Sequence, residues 1–543
     1  MATRLATPGV YIEEKNAFPN SVAAVPTAVP AFVGYTEKTV RNGQSLINRP
    51  VRITSLTEYH DIFGGGFQST FDIKEASGSE FDTQIGGKNF QVVPSNNARF
   101  ILYDSMRLFF ANGGSTCYVV TVGAYFQTDG KSATPTIPSL PTADSGAKEE
   151  GKTPVSTPKL ASTSAAAGKP KANQISKKAL ESGLNTLISE DEPTMIVIPE
   201  AVMLEKADCF ALQQAMMMHC GYKMKDRVSI LDVYDGYKAR SYDEQDVITQ
   251  FREGIGNNFL NFGAAYYPWV YTSIVQNEEV SFANFSNLEV LATLLTIEVD
   301  EITKDKKRAE ESKAEIKKLT EAKVDAESLN QTLKVISPTY KTFLDKIKML
   351  LNILPPSAGM AGIFTAVDNS IGVWKAPANV GFNSVITPLV KITHDDQEDL
   401  NVTVTGKSVN ALRTFVGEGT VVWGARTLDG NSQDWRYINV RRTMLYIEQS
   451  IKGAAKTYVF APNTAPTWIL VKSMISSFLT GLWKAGGLVG ATPAEAFEVE
   501  VGLGATMTPN DILDGIMRIT VKVAVSRPAE FIVITFQQKM QES

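Results

Sequence analysis

The chain has 543 residues, 43% of them hydrophobic and 20% charged, so it is long enough for several domains with sizeable apolar cores. Its formal net charge is -5, with Lys and Arg dispersed among Asp and Glu, which argues against a nucleic-acid partner. Three cysteines form no paired framework, and no window resembles a signal peptide or a membrane span. We therefore expect synthesis and assembly in the cytoplasm, without direct membrane insertion.

The first predicted element is a short strand near the N-terminus, in MATRLATPGVYIEE. Thr7-Pro8-Gly9 is a turn signal, Val10-Tyr11-Ile12 is β-prone, and Glu13-Glu14-Lys15 ends the strand before a hairpin partner appears. A lone strand leaves backbone groups unpaired, so it needs a distant edge. That edge could lie on the same chain, with the arm folded back, or on a neighbouring copy.

The sequence up to about residue 271 alternates predicted helices and strands, an order typical of an α/β fold. FILYDSMRLFFANGG predicts a helix and CYVVTV a strand. Further on, TMIVIPE, VSILDVYD and NFGAAYYPWVY predict strands around a Met-rich helix at ALQQAMMMHCGYK. Between these parts, residues 128–178 are rich in Ser, Thr, Ala, Pro and Lys and predict a flexible surface insertion.

Residues 288–353 contain no Gly and are mostly charged in their middle part. Leu295, Ile302, Ala309 and Ile316 recur every seven residues, which predicts a long helix or helical hairpin with a thin apolar seam. Two interpretations remain open: a solvated surface helix packed on its own domain, and a coiled-coil docking site.

The part after Pro355 is the richest in strand signals. GTVVWGARTL, WRYINVRR, KTYVFAPN, IMRITVKVAV and AEFIVITF predict strands, and WILVKSMISSFLTGLWKAGG predicts a helix with Ile469, Met474, Phe478 and Leu482 at helical spacing. The acidic run HDDQED at 394–399 is interpreted as the N-terminus of a helix rather than as a cation site.

The residues offer little for catalysis. His60, His219 and His394 are the only imidazoles, and the apolar surroundings of His219 and Cys220 predict a buried core. Gly406-Lys407-Ser408 lacks the upstream glycine of a phosphate loop. We therefore predict no catalytic residue, no metal site and no cofactor, and expect a protein that is not an enzyme.

Seven segments together resemble contractile tail sheath proteins, the family found in phage tails and in phage-tail-like contractile injection systems. They stand in the family's order at 7–14 (TPGVYIEE), 31–34 (AFVG), 361–362 with 372–379 (GVWKAPAN), 421–428 (VVWGARTL), 435–442 (WRYINVRR), 492–497 (TPAEAF) and 527–531 (RPAEF). The resemblance covers about the first forty residues and nearly everything after Pro355.

This resemblance implies a mixed α/β (α+β), multidomain fold. Both chain ends, 21–40 and 355–528, would form an inner sheath domain, with 41–354 inserted as outer α/β domains and with arms at 1–20 and 529–543. It implies a structural subunit that forms stacked hexameric rings, and hence a helical sheath, around an inner tube protein. The sheath would contract to drive the tube through a target envelope, and its other partners would be baseplate and tail-terminator or cap proteins. The mature particle can be released from the producing cell.

The resemblance also implies that both arms pair with the sheets of neighbouring subunits. The residues of the N-terminal arm are Thr7, Pro8, Gly9, Val10, Tyr11, Ile12, Glu13 and Glu14. The residues of the C-terminal strand are Ala529, Glu530, Phe531, Ile532, Val533, Ile534, Thr535 and Phe536. For the tube-facing surface we predict the helix that carries Lys472, Ser473, Ser477 and Lys484, whose cations could meet an acidic tube.

Two other classes of function remain as alternatives. A soluble cytoplasmic hydrolase or transferase would need a cleft with a perturbed acid or base. A static shell or fibre protein would share the strand arms but would not shorten.

Overall fold

The computed structural model describes residues 22–76, 78–95, 99–126, 172–321, 325–403 and 405–533. The predicted N-terminal arm at 7–14 lies outside these residues, as do Ile534, Thr535 and Phe536 and all but the last seven residues of the predicted insertion at 128–178.

The described residues form nineteen strands. In chain order they are β1 (Pro30–Thr36), β2 (Val40–Arg41), β3 (Gln44–Ser45), β4 (Pro50–Ile53), β5 (Phe71–Glu75), β6 (Thr83–Ile85), β7 (Lys88–Pro94), β8 (Cys117–Ala124), β9 (Met195–Val197), β10 (Val228–Asp232), β11 (Gly263–Tyr267), β12 (Val270–Thr272), β13 (Ile353–Leu354), β14 (Val380–Gly381), β15 (Val385–Pro388), β16 (Asn410–Phe415), β17 (Gly419–Trp423), β18 (Phe497–Val501) and β19 (Ile519–Val523).

The same residues form fifteen α-helices. In chain order they are α1 (Leu56–Phe63), α2 (Leu102–Ala111), α3 (Lys177–Thr186), α4 (Lys206–Met218), α5 (Val247–Gly254), α6 (Leu288–Ile302), α7 (Lys306–Lys317), α8 (Ala326–Ile336), α9 (Pro338–Leu351), α10 (Ser357–Ser370), α11 (His394–Asn401), α12 (Ile438–Ala455), α13 (Ala465–Lys484), α14 (Pro493–Ala496) and α15 (Pro509–Leu513).

A nine-stranded sheet is the centre of the fold, in the order β14-β17-β16-β11-β10-β9-β1-β8-β4. The strands from β16 to β8 pair in parallel, whereas β17, β14 and β4 pair antiparallel at the two sides. All residues of β1, β9, β10 and β11 are buried, because helices cover both faces of a parallel sheet. The predicted α/β order and the mixed, multidomain fold class are confirmed. We call this sheet and its helices the main unit.

The main sheet joins segments that the sequence analysis placed in different domains. β1, β16 and β17 come from the predicted inner domain, yet they share one sheet with β8 to β11 from the predicted insertion. A boundary at Pro355 would therefore cut through continuous backbone pairing and a shared core. The division into an inner domain and inserted outer domains stays a prediction, and the main sheet would run across it.

A second hydrophobic core lies in the peripheral unit, formed by the sheet β5-β7-β6 and by α6–α9. Residues 288–353 are four helices here, not one long helix. Asp305 caps the start of α7, and Ser337 with Pro338 starts α9, so each cap interrupts the heptad pattern. Most residues of the predicted seam are buried in this unit's own core, which favours the interpretation as helices packed on their own domain.

Polar side chains form hydrogen bonds and an ion pair where the peripheral unit meets the main unit. The side chain of Asn352 accepts from the N–H of Val275 at 2.8 Å and donates to its carbonyl at 3.0 Å. Arg107 on α2 forms a two-pronged ion pair with Glu279, with N–O distances of 2.7 and 2.8 Å.

A third core belongs to the C-terminal unit, residues 446–526. Two predictions fail here: WRYINVRR forms the start of α12, and KTYVFAPN forms a 3-10 turn at Lys456–Tyr458 followed by a loop. Aromatic and β-branched residues favour strands only weakly, and burial of one helical face outweighs that preference. The prediction for HDDQED is confirmed, because Thr393 and Asp396 form a capping box at the start of α11.

Glu200 is a buried carboxyl group that joins β1 to α2. It follows β9, is fully buried, and accepts hydrogen bonds from the N–H groups of Tyr35 at 2.9 Å and Leu102 at 3.3 Å. Desolvation raises the pKa of Glu200 to about 8, although these hydrogen bonds oppose the rise. The folded protein therefore holds a proton at neutral pH that the unfolded chain releases.

We expect Glu200→Gln to flatten the pH dependence of stability. Because the folded pKa of Glu200, about 8, lies above the ordinary 4.5, the free energy of unfolding should fall as the pH rises between these values. The slope from this one group is at most about 1.4 kcal/mol per pH unit. Urea unfolding of both proteins from pH 4 to 9, followed by near-UV circular dichroism, measures the difference. Parallel profiles for the two proteins would contradict this expectation.

A buried ion pair connects α12 to α10 in the main unit. Arg442 contacts Asp368 on α10 through two hydrogen bonds of 2.9 and 2.6 Å and donates to the carbonyl of Thr27 at 2.9 Å. Both side chains are almost inaccessible to solvent, at 4% and 1% exposure. Removing one partner would leave a buried charge without compensation.

We therefore expect Asp368→Asn to lower the free energy of unfolding by about 3–5 kcal/mol. Glu498→Gln is the matched control, because its partner Lys522 is exposed and the pair is open to solvent screening. Urea unfolding of the wild type and of both variants provides the measurement. Equal, small effects of the two substitutions would show that the buried pair has no special role.

Candidate functional site

The C-terminal unit contains a two-stranded antiparallel sheet with two different faces. Its inner face carries the apolar pairs Phe497–Val523, Val499–Val521 and Val501–Ile519, which pack with α13 in the third core. Its outer face carries Glu498 and Glu500 opposite Lys522 and Thr520, with the ammonium of Lys522 3.0 Å from Glu498. This alternation is the pattern of strands with one buried face.

The outer edges of this sheet have no strand partner within the described part of the chain. β18 and β19 pair with each other, and only a bridge between Leu488 and Val525 continues the pairing beyond β19. Isolated two-stranded sheets are marginally stable, and an unpaired edge accepts a further strand readily. The arrangement can therefore bind extended polypeptide by strand addition.

The chain leaves this sheet and binds the main unit through Glu530. The carboxylate of Glu530 forms a bidentate pair with Arg426, with N–O distances of 2.9 Å to Nε and 2.6 Å to Nη2. It also accepts from the side-chain amide of Asn401 at 3.1 Å and from the hydroxyl of Tyr437 at 3.0 Å. Burial, and then the charge of Glu530, raise the pKa of Tyr437, so its hydroxyl stays a donor at neutral pH. We call these four residues the Glu530 cluster.

The residues after Glu530 are apolar and exposed. Phe531, Ile532 and Val533 have exposed fractions of 71%, 79% and 88%. Within the predicted strand 529–536, residues 529–533 form no strand with any other part of the described ranges. Three consecutive exposed residues with high β propensity are suited to pairing with another chain.

The four side chains predicted to face a tube lie on the exposed surface of α13. Lys472, Ser473, Ser477 and Lys484 are all exposed, whereas Val471, Met474, Ile475, Leu479 and Leu482 are buried in the third core. Of the four apolar residues noted at helical spacing, Met474 and Leu482 are buried and Phe478 is half-buried. Ile469 is 68% exposed, which the apolar pattern did not predict.

The residues considered for catalysis lie in surroundings that are typical of structural residues. His219 and the three cysteines are buried, and desolvation lowers the pKa of His219 to about 3. Lys407 is nearly buried and donates to the carbonyl of Arg252, so it does not point into a phosphate cradle. A search of the described ranges found no group of three His, Cys, Asp or Glu side chains that could hold a metal ion. The same residues contain no helix long and apolar enough to cross a membrane.

The sequence analysis missed the Glu530 cluster. Its members come from three of the family-like segments and from α11, and Arg426 and Glu530 are 104 residues apart in the chain. WGAR, WRYI and RPAE each contribute one member, so these residues stand in segments that resemble the family. Their contact with one another could not be inferred without the fold.

Comparison with known proteins gives one family match. Residues 431–539 match the phage tail sheath C-terminal domain. This range contains β18, β19, α13 and two members of the Glu530 cluster.

Individual proteins agree with this match. The tail sheath protein of Vibrio phage KVP40 is 27% identical over 195 residues, which cover 36% of this chain and 28% of that protein. The tail sheath protein of Enterobacteria phage T4 is 22% identical over 161 residues, 30% of this chain and 24% of its own length. The aligned regions thus span about a quarter of these relatives.

Solved structures match over the whole length. The helical sheath of the anti-feeding prophage in its contracted state has a TM-score of 0.56 and 25% identity, covering 98% of this chain and 99% of that one. The sheath of the extracellular contractile injection system PVC in its contracted state has a TM-score of 0.56 and 24% identity, with 99% of both chains covered.

The predicted resemblance is confirmed: this chain is similar to contractile tail sheath proteins, its residues 431–539 match the phage tail sheath C-terminal domain, and its fold resembles that of contractile injection system sheaths.

Proposed function

We propose that this chain is the structural sheath subunit of a contractile tail or injection machine. It assembles as stacked hexameric rings around an inner tube protein, and the sheath contracts to drive that tube through a target envelope. Baseplate and tail-terminator or cap proteins bind the two ends of the sheath. The role is mechanical and not enzymatic. The matches to sheath proteins, including solved structures in the contracted state, support this assignment.

The observation that carries the proposal is the open two-stranded sheet β18–β19 next to an exposed apolar C-terminal segment. Each copy offers a sheet edge and also a strand that lacks an edge. A strand donated to the next copy gives a contact between two different surfaces, and such contacts propagate into rings or helices. A soluble enzyme does not require this arrangement.

We propose the same exchange for the N-terminal arm, Thr7 to Glu14. Its turn signal and short β-prone run suit addition to a neighbour's sheet. With both arms exchanged, the ladders between copies stay paired while the bodies of the subunits rotate. The energy for contraction then comes from new contacts between subunits, and no nucleotide is needed.

The surface of α13 that carries Lys472, Ser473, Ser477 and Lys484 is proposed to face the inner tube. Two ammonium groups on an exposed helix would attract an acidic tube surface and orient the subunit. Their contribution lies mainly in specificity, since exposed charge pairs add little affinity.

We expect Ile532→Asp to prevent assembly without affecting the fold of the protomer. The side chain is 79% exposed, so a carboxylate costs little in the monomer, but it would be buried in an exchanged strand. Pelleting and negative-stain microscopy of the purified protein measure tubule formation, and circular dichroism checks folding.

Val335→Asp is the matched control for this substitution, because Val335 on α8 is 85% exposed and far from the C-terminal segment in sequence. It should assemble like the wild type. Striated tubules of normal length from Ile532→Asp would contradict the exchange. Tubules of the wild type that do not shorten under any trigger would instead favour a static shell or fibre.

Removal of residues 1–14 should also prevent ordered tubules, because the N-terminal strand would no longer reach the neighbouring copy. The truncated protein should keep the circular dichroism spectrum of the full chain. If it still pelleted as long ordered tubules, the arm would not be needed for assembly and the fold-back alternative would be favoured.

A further inference from the structure

The last described residues leave their own sheet instead of extending it. Pairing ends with the hydrogen bond from the N–H of Ser526 to the carbonyl of Gly487 at 3.2 Å. Pro528 then has no N–H to donate. No backbone hydrogen bond joins residues 527–533 to any strand of the described ranges. The segment after Ser526 is therefore diverted from its own sheet edge.

Glu530 fixes the point at which this diverted segment meets the main unit. A bidentate pair sets the orientation of the carboxylate as well as its distance, and the bonds from Asn401 and Tyr437 hold both of its oxygens. Its side chain is 17% exposed and that of Arg426 is 4% exposed. The chain is thus held firmly one residue before the exposed apolar run begins.

The residues of the main unit that bind Glu530 are themselves held by hydrogen bonds. The backbone N–H of Arg426 donates to the side chain of Asn410 at 2.7 Å, and its Nη1 donates to the carbonyl of Asn401 at 2.8 Å. Asn410 lies in β16 and also donates to the carbonyl of Ala265 in β11. The position of Glu530 is thereby set by the main sheet and not by the C-terminal unit to which the preceding strand belongs.

We propose that Glu530 is a positioning residue for strand exchange: it anchors the root of the C-terminal strand on the main unit, so that residues from Phe531 onward are presented to a second copy of this chain. This inference rests on the proposed function. A segment fixed at its root loses less conformational freedom on binding than a free tail, so the anchor favours association. It also keeps the segment away from the free edge of its own sheet.

The partner is a second copy because each copy has a complementary edge. Among the described residues, β18 and β19 have no strand along their outer sides, and Phe531, Ile532 and Val533 have no partner strand. A consequence is that force on the exchanged strand passes through Glu530 and Arg426 into the nine-stranded sheet. The small C-terminal sheet is then not the only element that carries the load between subunits.

Glu530→Gln tests the anchor, because it keeps the size of the side chain but removes the charge that Arg426 binds. We expect the critical concentration for tubules, measured by pelleting, to rise at least about tenfold. Circular dichroism should show a folded protomer. Glu75→Gln, which removes an exposed charge on β5 of the peripheral unit, is the control and should assemble at the concentration of the wild type.

A second measurement reports on position and not on assembly. Because all three native cysteines are buried, Val533→Cys provides one accessible thiol for a nitroxide spin label. In the unassembled protein, the label should be more mobile with Glu530→Gln than with Glu530 intact. Glu530→Asp keeps the charge but has a shorter side chain, and we expect intermediate mobility and an intermediate critical concentration.

The possible outcomes distinguish a failure of the Glu530 anchor from a failure of the proposed function. Wild-type critical concentration and unchanged label mobility in Glu530→Gln would overturn the inference. If Glu530→Gln fails to fold, Glu530→Asp decides, and assembly like the wild type with unchanged mobility would reduce Glu530 to a stabilising residue and overturn the inference. If the wild type forms no tubules, the proposed function fails, and the label measurement still tests the anchor in the single protomer.

Discussion

Backbone hydrogen bonding that stays open within the described residues is the constraint on which the proposed assembly depends. There, β18 and β19 pair with each other on one side only, and the apolar residues after Glu530 have no strand beside them. In the proposed assembly, each open edge is completed by a second copy. A surface that would cause aggregation in a monomer would in this way become a directed contact.

The main unit differs from the C-terminal sheet in this respect. Its central strands are buried on both faces, and its antiparallel edge strands are short. Two of its buried carboxyl groups are satisfied locally, since Glu200 accepts from backbone groups and Asp232 caps α10 through the N–H and hydroxyl of Ser357. The main unit provides a rigid body, and the Glu530 cluster connects it to the C-terminal unit.

The sequence predicted those parts of the fold that depend on local patterns. Buried parallel strands read as apolar runs, and the acidic run at 394–399 indicated a helix N-terminus, so the α/β order and α11 were predicted correctly. The helix α12 was not, because its start has the composition of a strand and burial decided its conformation. Residues 288–353 were predicted as a long helix or helical hairpin and not as the four helices α6 to α9, because a heptad pattern continued across their caps.

The candidate site was only partly predictable, for a different reason. Apolar composition near the end of the chain indicated a strand in need of a partner, and that is a local signal. The pairing of Arg426 with Glu530 depends on a fold that brings together residues 104 positions apart, and no spacing rule indicates it. The joining of β1, β16 and β17 in one sheet with β8 to β11 was hidden in the same way.

The three separate hydrophobic cores have a consequence for how this protein responds to heat. The main, peripheral and C-terminal cores are separate clusters of buried apolar residues, and polar side chains such as Arg107 and Asn352 lie where the peripheral unit meets the main unit. Each core can therefore melt as a cooperative unit of its own. A calorimetric trace of the protomer is better described by one midpoint for each core than by a single transition temperature.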